Sequence, residues 1–286
     1  MKKVRIFPIY IALLLIIMYI PILLVIIYSF NGSRLSSVWS GFTLSWYRDL
    51  FRDRSMFEAL RNSAVLAVLS SLAAAVIGTL GAYGSANGRL RSRPAGNVRH
   101  GSAMYSGAME YLAILPIMTP EIILGMVFLA FFSLLGLPFG MTTLVIAHTA
   151  FCIPYTYLLV KARLAGLDKS YAEAARVLGA GSMRAFRDIT FPLILPAVIS
   201  GILLSFAMSF DDVIVSVFVT GVNTNTLPIK IYSQMRTGVT PKTNALCTLL
   251  FAATVLLGLL SAYLARPRRS SVSKEINITQ SKGEIT

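Results

Sequence analysis

Six long stretches of this chain carry almost no charge, and that feature decides most of what the chain can fold into. They run at about 8–30, 63–86, 105–137, 142–160, 193–220 and 245–264. Each is near the roughly 20 residues that a helix needs to cross a bilayer. Open strands cannot cross lipid, because their backbone groups would go unpaired. A barrel strand would alternate apolar and polar residues, and these stretches are apolar all round. The expected fold class is therefore all-α, a polytopic membrane protein with six transmembrane helices.

Composition agrees. Residues are 56% hydrophobic and 13% charged, against about 25% charged in a soluble domain. The net charge of +14 does not point to nucleic acid, since no basic soluble domain carries it. The cations sit in short loops, where they hold topology and meet anionic lipid headgroups. Cys152 and Cys247 lack the spacing of a metal or redox pair and read as buried thiols. His100 and His148 are far apart in sequence and receive no chemistry.

The first stretch is too long for a signal peptide, and no small-x-small cleavage site follows it. It reads as a retained span with a kink near Pro21. The third is too long for one simple span, and Pro116 and Pro120 are expected to break it. The N-terminus and the regions 87–103, 161–190 and 266–286 hold most of the cations, among them Lys2, Lys3, Arg5, Arg89, Arg91, Arg93, Arg99, Lys161, Lys169, Arg266, Arg268, Arg269, Lys274 and Lys282. The other side holds Arg34, Arg48, Arg52, Arg54, Arg61, Lys230, Arg236 and Lys242. The positive-inside rule then places both termini in the cytoplasm. Residues 1–270 read as one transmembrane domain and 271–286 as a polar cytoplasmic tail.

The loop at about 164–192 divides at a glycine. Residues 168–178 read as a short helix, 179–181 as a turn and 182–189 as a second helix, with Pro192 and Pro196 opening the next span. Ser170 and Glu173 stand as in a capping box, and Gly179 suits the left-handed residue that ends a helix. Ala174 and Ala175 are small enough for another surface to approach. Tyr171, Leu178, Met183 and Phe186 would be its apolar anchors. The competing reading is an amphipathic helix lying flat on lipid.

The run Glu173-Ala174-Ala175, three residues, Gly179, nine residues, then Ile189-x-Phe191-Pro192 resembles the EAA loop of bacterial ABC importer permeases. The family motif has Leu before Pro where this chain has Phe191. GFTLSWYRDL, SFDDVIVSVFVTG and LPIKIYSQMRTGVTPKTNAL are similar to the second permease of spermidine/putrescine importers. The resemblance implies a type I importer permease fold. It implies that Glu173, Ala174, Ala175, Gly179, Ile189 and Pro192 couple the membrane spans to an ATPase. It also implies the partners: two ATP-binding subunits that hold ATP and Mg, a second permease and a periplasmic binding protein. The chain itself has no Gly-x4-Gly-Lys-Ser/Thr phosphate loop, so no cofactor is expected on it and no enzyme activity of its own.

Four acids lie in or beside apolar stretches: Glu110, Glu121, Asp211 and Asp212. Glu110 sits near an interface and reads as ordinary. An acid at a helix centre costs about 2.5–3.5 kcal/mol on insertion scales. No Lys or Arg lies within the six stretches to offset it. The acids are then protonated, paired with a partner subunit, or turned to a water-filled path for a cation. A polyamine fits the last case, with carboxylates for its ammonium groups and aromatic or methionine side chains for its methylenes. Glu121, Asp211 and Asp212 are expected to line this path, the first two foremost. Asp212 points about 100° away from Asp211 on a helix, and the competing role for an aspartate here is to cap a break. Trp46 is read as a docking or substrate-handover residue, and Trp39 as an interfacial anchor.

Other classes fit less well. The alternative is the same type of ABC permease for another substrate, such as an opine, a metal or another small solute; an anion would be poorly served by these acids, which favour a cation. A secondary transporter would use them as a proton relay and would not bind an ATPase. A hydrolase built on Asp211 and Asp212 would lack convergence, since adjacent helical residues diverge.

Overall fold

Membrane helices without bulky side chains at their crossings can bring backbones together, and this chain uses that device at one point. In the computed structural model, which describes residues 6–33, 38–91, 100–168, 170–177 and 179–264, three long helices meet around Thr156. They are α3 (Arg54–Arg91), α6 (Met141–Ala165) and α9 (Phe191–Asp211). A Cβ on Gly78 of α3 would lie 3.0 Å from Thr156 Cβ, and one on Gly201 of α9 would lie 2.9 Å from Thr156 Cγ2. Small residues are the usual way to close such contacts in lipid. Two apolar clusters fill the rest of this unit, which spans 53–238. One joins Leu66, Phe132, Leu144, Ala147, Val215 and Val219. The other joins Ala75, Ala82, Tyr157, Val160, Ile194 and Val198.

The third apolar stretch breaks where its prolines predict. α4 (His100–Met118) and α5 (Glu121–Leu134) meet at Thr119-Pro120 with a bend of 111°. Pro116 stays inside α4 and Pro120 opens α5. α5 packs on the short α10 (Ile214–Val219), so closely that a Cβ on Gly125 would fall 2.4 Å from the Phe218 ring. α11 (Leu227–Thr237) returns to α3, where the Leu227 N–H donates to Ser63 Oγ at 2.8 Å.

The second unit comprises 1–52 and 239–286. In it α1 (Ile6–Tyr28) and α2 (Ser45–Arg52) both pack on α12 (Pro241–Leu264). Pro21 lies within α1, which continues through it. The loop after α1 folds on the buried Asn31. Its Nδ2 donates to Val38 O at 2.7 Å, and its Oδ1 accepts from the Ser40 N–H at 3.0 Å.

Among the described residues, four helices are long and apolar enough to cross a membrane, and the bent α4–α5 pair makes a fifth such element. The sixth apolar stretch forms α12. Several boundaries differ from the sequence reading, and two of them bear on the loop and the path. The second loop helix does not stop at 189. It is α8 (Ser182–Ala185), followed by a π-helical turn, Phe186–Thr190, that runs straight into α9. Pro192 is the second residue of α9, directly after the π turn. The fifth stretch is not one helix, because α9 ends at Asp211 and Asp212 turns to extended backbone at φ −67° and ψ 127°. The cations of 1–5, 34, 93, 99 and 169, Leu178, and the tail with the basic residues of 266–286 lie outside the described residues.

Candidate substrate path and coupling loop

The fifth stretch breaks because Asp212 offers the next helix a better start than continuation would. Its Oδ1 accepts the Val215 N–H at 3.2 Å and its Oδ2 accepts the Ser216 N–H at 2.8 Å. These are donors that a helix start leaves unpaired, and an aspartate before the first turn satisfies them. The result splits two adjacent acids. Asp211 is exposed, whereas the Asp212 side chain is only 7% exposed.

The side chain that meets Asp212 is a histidine. His148 of α6 is fully buried, and its Nε2 lies 3.4 Å from Asp212 Oδ2. The same nitrogen is 3.0 Å from Ser216 Oγ, and Nδ1 is 2.8 Å from Ser209 Oγ. Ser70 of α3 stands 2.9 Å behind Ser209. One polar network thus ties α3, α6, α9 and α10. The reading that gave His148 no chemistry is corrected here. Sequence distance hides the pairing, but a lone imidazole in an otherwise uncharged stretch was its signal.

Glu121 is the first residue of α5 and is exposed. There the positive end of the helix favours a carboxylate. Glu110 ion-pairs with Lys161. Because α6 extends to Ala165, Lys161 and Arg163 belong to the helix rather than to a loop. Trp46, in the other unit, is half-buried and donates from Nε1 to Asn31 O at 2.7 Å, so its indole holds the loop after α1. Trp39 meets Tyr28 edge-on at 6.4 Å.

In the loop between α6 and α9, α7 (Ser170–Val177) folds back on α8 and the π turn. Its cap is not Ser170 but Asp168, whose Oδ1 accepts the Ser170 N–H at 2.9 Å. That bond, with a second from the Ser170 side chain, holds the Asp168 carboxyl below its ordinary range. Gly179 ends the helix at φ +82°, and the Ala180 N–H donates to Ala175 O at 2.9 Å. This is the six-to-one bond of a Schellman motif. Ala174 is exposed, while Ala175 is buried within the hook. Glu173 lies on α7, and its side chain is outside the described set. Ile189 is half-buried in the π turn and Pro192 is exposed.

The apolar anchors divide. Met183 is 77% exposed and Tyr171 55%, and they are joined by Val177 at 87%, which sequence reasoning passed over. Phe186 instead turns inward. Its ring lies 4.3 Å from Tyr83 of α3 and packs against the cluster around Tyr157 and Ile194. Arg163 Nε adds a bond to Leu193 O at 3.1 Å. An outer face of three apolar side chains is therefore linked to the helical core through one aromatic ring.

Comparison with known proteins places this arrangement. Residues 94–269 match the family described as binding-protein-dependent transport system inner membrane component. The spermidine/putrescine transport system permease protein PotC of Escherichia coli K12 is 38% identical over 251 residues, 88% of this chain and 90% of that protein. The putrescine transport system permease protein PotI of the same organism is 38% identical over 253 residues, 86% of each. A PotC from Haemophilus influenzae is 36% identical, covering 87% of this chain and 92% of its own. Among solved structures, a bacterial ABC transporter for import of the acidic polysaccharide alginate aligns with TM-score 0.65 at 16% identity, over 92% of this chain and 98% of that one. That likeness shows the fold. The chain belongs to the family of binding-protein-dependent transport system inner membrane components. It is a transport permease, not an enzyme.

Proposed function

We propose that this chain is a permease subunit of an ATP-driven polyamine importer, with spermidine or putrescine as cargo. The observation that carries the reading is the likeness to spermidine/putrescine and putrescine permeases over nearly the whole chain. The exposed Glu121 and Asp211 support it, because a path for a polycation needs carboxylates that are not already paired inside the fold. Asp212 acts beside the path, through the bonds it makes at the helix break. Trp46 stands at a loop suited to receive cargo from a periplasmic binding protein.

Two ATP-binding subunits and a second permease complete the machine, and ATP with its Mg is held by the former. The hook around Glu173, Ala174, Ala175 and Gly179 docks on an ATPase, with Tyr171, Val177 and Met183 as its apolar contacts. Ile189 and Pro192 connect that hook to α9. Both termini are cytoplasmic, in keeping with the loop charges.

Radiolabelled polyamine uptake by cells lacking and then regaining this gene tests the cargo. Restoration of uptake is expected, and Glu121→Gln and Asp211→Asn each lower it while leaving assembly intact. Unchanged uptake in both variants would remove the acidic path. A cysteine at Ala174 that never crosslinks to an ATP-binding subunit would remove the docking role.

A further inference from the structure

The bonds around His148 have a specific layout. The imidazole stands on α6 and straddles the break between α9 and α10. Nδ1 meets Ser209, in the last turn of α9, at 2.8 Å. Nε2 meets Ser216 of α10 at 3.0 Å and Asp212 Oδ2 at 3.4 Å. A flat ring with a nitrogen at each edge is a rigid spacer between two helix ends. Ser70 of α3 backs the Ser209 side at 2.9 Å. Asp211, the exposed acid, lies between Ser209 and Asp212 in the chain, so both of its flanks are held.

We infer that His148 is a positioning residue for cation transport: through its Nε2 edge, which meets Asp212 and Ser216 beyond the end of α9, it fixes where the exposed Asp211 carboxylate stands. This rests on the proposed function for the cargo and for the place of Asp211 in its path. The physical reason is that a helix break has no backbone ladder of its own to set its angle. Here the angle is set by side chains, and a fully buried network holds one arrangement because any lost partner leaves a polar group unpaired. Without the ring, Ser209, Ser216 and Asp212 each lose a bond, and the residue between them loses its fixed place.

Two conservative variants in the complete transporter test this. Asparagine at 148 can reach only the Ser209 side, whereas glutamine can reach the Asp212 and Ser216 side. In proteoliposomes, His148→Asn is expected to raise the KM for polyamine at least tenfold with Vmax within about twofold of the parent. His148→Gln stays within about threefold in KM. A second readout needs no polyamine: the labelling rate of Asp211→Cys by a trimethylammonium methanethiosulfonate, with Cys152 and Cys247 replaced by alanine. That rate changes at least fivefold with His148→Asn and returns with His148→Gln. If neither variant moves KM or labelling, the inference is overturned. If both fail equally, or neither assembles with the partner subunits, His148 is merely structural and the inference is again overturned. If the parent carries no polyamine, the cargo assignment fails, and the labelling arm alone decides the role of His148.

Discussion

Helix α9 ends in two different ways. At the Asp211 end it stops at a break held by a buried carboxylate, an imidazole and three serine hydroxyls. At the loop end it does not stop but passes through a π turn into the hook, held by aromatic contact of Phe186 with Tyr83. Polar networks are directional and tolerate one geometry. Apolar contacts are non-directional and let surfaces shift while staying buried. The proposed cargo-binding carboxylate would need the first, and the proposed coupling joint the second.

Removing the cap should have the largest effect. Asp212→Ala leaves the Val215 and Ser216 N–H groups without their acceptor, and orphaning a buried donor costs about 1–3 kcal/mol each. Thermal unfolding of the purified complex should shift down accordingly. A shift no larger than that of an exposed control such as Ser200→Ala would show that the network does not hold the break.

Phe186→Ala should cost less stability, about 1–3 kcal/mol, since the ring is half-buried and Phe→Ala in a full core costs about 3–5. Its signature is functional. ATP hydrolysis by the assembled complex continues, while cargo moved per ATP falls severalfold. Equal loss of both would mean that the ring only supports folding.

Ser209→Ala removes two hydrogen bonds from the network, to Ser70 and to His148, and should cost about 2 kcal/mol at about 1 kcal/mol each. A matching Ser70→Ala should not add fully, because the two hydroxyls bond each other. Additive losses would argue that they act separately.

The smallest effect concerns pH at the hook. The Asp168 carboxyl is held below its ordinary range by bonds from Ser170. A lowered folded pKa gives stability that is present above the unfolded pKa and is lost as pH falls through the folded one. Amide exchange over 170–177 should therefore stay slow down through the usual carboxylate range near about 3.9 and quicken only below it. Asp168→Ala should quicken it at neutral pH as well.

Part of this was open to reading from residues alone. Lipid demands contiguous apolar residues whatever the partner, so most span positions followed from local pattern. Pro120 marked the bend of α4 and α5, since a missing N–H breaks a helix in any context. Gly179 marked the end of α7 for an equally local reason, its positive φ. The break at Asp212 carries no glycine or proline, and the surrounding valines and isoleucine suit an unbroken span. Its sign was the aspartate itself, a helix-starting residue ahead of an apolar run. Ser170 competed for the same role at α7, and Asp168 won because its carboxylate reaches the Ser170 N–H.

What residue order determined by itself is the class of the molecule: apolar spans, a glycine-ended hook and acids in a hydrophobic field. Solvation and backbone sterics act on each segment separately, so they can be read segment by segment. Which acid faces outward and which is buried, and that His148 supports the buried one, only the packed helices decided. Hydrogen bonds between distant segments depend on ångström distances that exist only after Gly78 and Gly201 let those helices close on Thr156.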